Sequence, residues 1–92
     1  MPVKTYAYDL VQNVRTLVVP ANTQAQEVCI HNHEHATSKE IYLGNSSVTL
    51  ANGMHAVATQ TSIVTLQPGD DLYAITGESG GANLRIMVVT QD

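Results

Sequence analysis

A chain of 92 residues with eight acidic and four basic side chains, net charge −4, makes one domain with a modest core. Lys4, Arg15, Lys39 and Arg85 are scattered and build no basic surface, which excludes a nucleic-acid binder. No apolar stretch approaches the roughly 20 residues that span a bilayer as a helix, so no membrane partner is expected.

Val3–Leu10 alternates weakly, with Tyr6 and Tyr8 on one side, and reads as a strand or an extended arm. Met1–Val19 lacks the continuous apolar core of a signal peptide, which implies synthesis in the cytoplasm. Thr16–Val19 reads as a strand closed by Pro20-Ala21-Asn22. Gln26–Asn32 alternates, with Val28 and Ile30 on one face and Cys29 and His31 on the other. The polar run His33–Lys39 is expected to join that strand to Glu40–Leu43 as a hairpin.

From Glu40 to Val89, short apolar segments are cut at near-regular intervals by turn chemistry. Ile41–Leu43 and Val48–Leu50 read as strands, followed by Asn52-Gly53, a dipeptide suited to a tight hairpin turn. Ile63–Leu66 leads into Pro68-Gly69-Asp70, where proline presets φ and glycine takes the strained position. Leu72–Ile75 follows, then Gly80-Gly81, then a last strand with Leu84, Ile86 and Val88 on one face. No window carries a 3.6-residue apolar period. The pattern predicts an all-β fold, an antiparallel β-sandwich or jelly-roll-like barrel of about seven to eight short strands. Met1–Gln24 is expected to be an N-terminal arm or edge strand, and residues 25–92 the sandwich domain.

Candidate chemistry is sparse. Gly77-Glu78-Ser79-Gly80-Gly81 matches G-x-S-x-G, yet a strand follows it and no scaffold for a serine nucleophile fits in 92 residues. Asp70-Asp71 sits at a turn with no partner base and reads as capping. Cys29, the single cysteine, lies between Val28 and Ile30 and reads as a small hydrophobe. His31, His33 and His35 would project from one face if the strand continued, a geometry that chelates zinc, nickel or copper; the expected loop argues for a polar tip instead. Tyr42 and Tyr73 sit beside apolar residues and read as packing near a sheet edge. No enzyme and no cofactor are expected.

The ordered pieces Val28-Cys29-Ile30-His31-Asn32, Ile41–Thr49, Asn52-Gly53, Leu66–Ile75 and Leu84–Val89 resemble a small β-domain of tailed-bacteriophage structural proteins. That resemblance implies a virion component, most directly a capsid decoration (cement) protein on the capsid surface that binds the major capsid protein. The alternative it implies is a carbohydrate- or host-surface-binding module of a virion fibre or tail. A homo-oligomer, with a trimer favoured, is expected because closed symmetry adds buried surface to a small module. Tyr6, Tyr8, Leu10 and Val11 are the expected partner-binding residues of the N-terminal segment.

Overall fold

The computed structural model describes residues 3–34, 40–56 and 61–90. Eight strands account for its regular structure: β1 (Val3–Leu10), β2 (Thr16–Val19), β3 (Gln26–Asn32), β4 (Ile41–Gly44), β5 (Met54–Ala56), β6 (Thr61–Leu66), β7 (Leu72–Ile75) and β8 (Ala82–Thr90). They form two four-stranded sheets, sheet A in the order β1-β8-β3-β6 and sheet B in the order β2-β7-β4-β5.

Every pairing between these strands is antiparallel. The first strand pairs with the eighth, the second with the seventh, the third with the sixth, and the fourth with the fifth. Such nesting is one long hairpin wrapped into two layers, the jelly-roll arrangement. The sequence expectation of an all-β sandwich of seven to eight strands holds, and the pairing supplies the strand order.

Alternation decides what each sheet buries. Val28 and Ile30 of β3, Leu84, Ile86 and Val88 of β8, Val18 and Val19 of β2, and Ile41, Leu43 and Ala74 of sheet B meet between the layers. Their partners in register across sheet A, such as Ile30 opposite Ile86 and Val28 opposite Val88, share that inner face. Asn32 is wholly buried; its Nδ2 donates to the Ala56 carbonyl at 2.9 Å and ties β3 to β5 across the layers. Thr76 is buried as well, its hydroxyl donating to the Glu40 carbonyl at 2.7 Å. Among the described residues no buried side-chain polar atom lacks a partner.

Three local expectations change. β3 and β4 lie in different sheets and do not pair as a hairpin. Val48–Leu50 is not a strand. It belongs to the loop 45–53, and Val48 is buried there, its N–H donating to the Asn45 carbonyl at 3.0 Å. β4 and β5 do pair, but through that whole loop and not through a two-residue Asn52-Gly53 turn; Asn52 Oδ1 staples it by accepting from the Thr49 N–H at 2.7 Å. The turn at Pro68-Gly69-Asp70 forms as read, with the Asp70 N–H donating to the Gln67 carbonyl at 3.0 Å. The boundary expected after Gln24 falls between β2 and β3, inside the sandwich: β1 is an edge strand of sheet A and β2 an edge strand of sheet B.

Candidate functional site

The residues expected to bind a partner through the N-terminal segment differ in burial. Leu10 is buried in the core and Tyr8 is half-buried against it, whereas Tyr6 and Val11 are exposed. Tyr8 donates its hydroxyl to the Val18 carbonyl at 2.9 Å, joining β1 to β2. Leu10 and Tyr8 therefore hold the fold and are not free for a partner. Burial, with the Tyr6 phenol nearby, pushes the Tyr8 pKa above the ordinary phenol value. The raised value favours the neutral form, so this contribution to stability is full below the ordinary phenol pKa and lost as pH climbs through the folded one. Tyr8→Phe is expected to cost about 1 kcal/mol at neutral pH through the lost hydrogen bond. In urea titrations its deficit should narrow at strongly alkaline pH, where the wild type pays for ionising Tyr8; a constant deficit would refute this assignment.

Two of the three histidines expected to share a face, His31 and His33, lie side by side. His31 is the outward-facing, half-buried sixth residue of β3, with the Thr61 hydroxyl 3.3 Å from its Nδ1. His33 lies just past the strand, its ring edge-on to His31 at 5.5 Å and its N–H donating to the Asn83 carbonyl. His35 lies outside the described residues. Among the described residues no three His, Cys, Asp or Glu side chains gather as a metal site. His55 is on sheet B, stacked on Tyr42 at 5.2 Å with its Nε2 3.6 Å from Glu40 Oε1. Tyr42 donates its hydroxyl to Glu40 Oε2 at 2.6 Å, and that bond to a carboxylate raises its pKa.

The remaining polar candidates serve turns. In the G-x-S-x-G segment the Gly81 N–H donates to the Glu78 carbonyl at 2.9 Å, and Ser79 is exposed on a turn that enters β8. Asp70 Oδ2 accepts from the Gln67 N–H at 3.2 Å. A crevice of about 290 Å³ beside this end holds Asp9 and Glu34, but Glu34 Oε2 accepts the Asn83 N–H at 2.5 Å and closes the β8 start.

What the fold does assemble is the outer face of sheet A. Register places Thr5 opposite Met87, Met87 opposite Cys29, and Cys29 opposite Ile63, so these four side chains form one row across all four strands. The next row is Val3, Val89, Glu27 and Thr65; on the other side lie Ala7, Arg85, His31 and Thr61. Ile63 is 66% exposed, Val3 58% and Met87 40%. The sequence carried this signal in Leu84–Val89, where Ile86 and Val88 serve one face while Met87 and Val89 put apolar side chains on the other. An antiparallel sheet with one face in water alternates apolar-in with polar-out, and β8 departs from that at Met87 and Val89. Here β8 is covered only on its inner face.

No family model matches the chain, and no curated protein matches it. A solved structure does resemble it, from work described as "Bacillus endospore appendages form a novel family of disulfide-linked pili". The match covers 99% of this chain and 87% of that one, with a TM-score of 0.56 and 9% identity. What the two share is the fold. This corrects the capsid decoration function, and with it the alternative of a fibre or tail binding module: the structural neighbour is a bacterial appendage and not a phage shell. The turn-punctuated run that suggested a virion marks a sandwich that appendages also use.

Proposed function

We propose that this chain is a non-enzymatic structural subunit of a bacterial surface appendage and that it works by associating with copies of itself. The observation that carries the reading is the uncovered outer face of sheet A, where β8 shows Met87 and Val89 and half-buried Cys29 lies between exposed Met87 and exposed Ile63. Contiguous apolar surface on a small module marks an interaction site. The likeness to an endospore appendage structure supports the same reading at the level of fold.

Cysteine arithmetic distinguishes this chain from the disulfide-linked route. One cysteine can join one neighbour, whereas a polymer held by disulfides needs at least two per subunit. Non-covalent contacts must therefore propagate any assembly. The trimer favoured from sequence is not part of this proposal. Purified protein in reducing buffer is expected to sediment above its 9.9 kDa chain mass and to show ordered assemblies in negative-stain micrographs. A monomer at every accessible concentration would sink the reading.

A further inference from the structure

The described strands leave four sheet edges, and three of them carry features that discourage pairing with another chain. β1 bears Lys4 and Asp9. β2 has four residues and its register shifts between Leu17 and Val19. β5 has only three residues. β6 has none of these protections. Its six residues, Thr61-Ser62-Ile63-Val64-Thr65-Leu66, pair with β3 in unbroken register, and no Asp, Glu, Lys or Arg occurs between His55 and Asp70. Thr61, Ser62, Ile63 and Thr65 are exposed, and among the described strands only β3 pairs with β6. An uncharged, regular strand rich in β-branched residues leaves a row of backbone donors and acceptors ready for another strand.

We propose that two copies of this chain join by pairing β6 with β6 of the second copy across a two-fold axis, extending sheet A to eight strands. This inference rests on the self-association proposed above and names its joint. A two-fold axis normal to the sheet makes the two β6 strands antiparallel and keeps outer face beside outer face. Strand alternation then allows only residues of the same phase to oppose each other. Centring the axis on Ile63 sets Ile63 opposite Ile63, Thr61 opposite Thr65, and Ser62 opposite Val64 of the second copy. No like charges meet, because β6 has no charge. The hydroxyls of Thr61 and Thr65 face each other, a favourable cross-strand pair. The outer row Thr5, Met87, Cys29, Ile63 becomes continuous through the axis. A second copy fits better than an acidic or basic partner because nothing along β6 selects a charge. Using β1 of the next copy instead would set the Lys4 and Asp9 edge against an uncharged strand.

The experiment compares native masses in reducing buffer by analytical ultracentrifugation, with circular dichroism as the folding control. Wild-type protein should show a species of twice the chain mass. Ile63→Lys places two ammonium groups directly opposite each other at a site already 66% exposed, so the fold should survive. Association should weaken by about a hundredfold, the scale of a like-charge juxtaposition across an interface. Thr5→Lys, in the same row but on β1, should leave the mass unchanged. In a Cys29→Ser background, Ile63→Cys should cross-link into covalent dimers on mild oxidation. If Ile63→Lys associates as the wild type does, the joint is wrong while self-association stands. If Thr5→Lys and Ile63→Lys both dissolve open-ended assemblies, β6 pairs with β1 of the next copy, and the two-fold joint is overturned. A wild-type monomer would overturn the joint and the appendage reading together.

Discussion

A chain that begins at Ala25 is expected to show no cooperative unfolding transition. Deleting Met1–Gln24 removes β1 and β2, one strand from each sheet. β1 is held to β8 over eight paired positions, from Val3 opposite Val89 to Leu10 opposite Ala82. β2 pairs with β7 and supplies Val18 and Val19, both at 1% exposure or less. Losing Leu10, Val18 and Val19 forfeits about 1.5–3 kcal/mol of burial each, so about 5–9 kcal/mol together. Domains have only about 5–15 kcal/mol in total, and one this small sits at the low end. β7 and β8 would also become bare edges, and the Tyr8 hydrogen bond to the Val18 carbonyl would vanish. Thermal melts followed by circular dichroism should be broad and shallow. A sharp two-state melt from the shortened chain would show that the first 24 residues are an appended arm after all, as their weak alternation suggests.

Strand by strand, the sequence reports which face a residue takes but not which strand lies beside it. Val28 and Ile30 against Cys29 and His31, and Leu84, Ile86 and Val88 against Met87, were legible because a period of two is a local property. Pairing β3 with β6 and β8 is not local. The expected hairpin from β3 to β4 failed because a wrapped hairpin pairs strands by nesting, and turn-forming residues between β3 and β4 look the same whether the chain turns back or crosses over. Val48 misled for a related reason. An apolar residue inside a loop mimics a strand when the loop folds onto the sheet and buries it. Tyr6 and Tyr8 were placed on the correct common face, yet only the structure shows that one is spent on the Val18 carbonyl while the other stays exposed.

The surface proposed to join copies was legible in part. Met87 and Val89 put two apolar side chains on the outer face of β8, and the uncharged stretch before Asp70 announces an unprotected strand. Neither says that β6 ends up at an edge, because edge position depends on the full strand order. The resemblance to phage structural proteins drew on strands and turns common to many sandwiches, and those features specify an architecture, not an activity.

Gly81→Ala should be among the most damaging single substitutions in this chain, while Gly80→Ala, one residue away, should be mild. Both glycines have positive φ, 85° at Gly80 and 79° at Gly81, so each substitution incurs about 1–2 kcal/mol of backbone strain. Their surroundings differ. A Cβ at Gly80 meets open space, whereas one at Gly81 drives into the Leu10 carbonyl oxygen, with the Leu10 carbonyl carbon 3.2 Å away. Those are backbone atoms and cannot rotate aside. Leu10 is fixed from both directions, paired with Ala82 at the end of β1 and buried in the core. Relieving the clash means prising the β1 end from β8, or pulling Leu10 out of its packing, which adds about 2 kcal/mol or more. The expected loss is therefore about 3–4 kcal/mol for Gly81→Ala against about 1–2 kcal/mol for Gly80→Ala. Urea midpoints at constant m-value measure the difference directly. Equal losses at the two positions would mean that strain alone acts there, and that the close approach of the β8 entry to the end of β1 does not hold in solution.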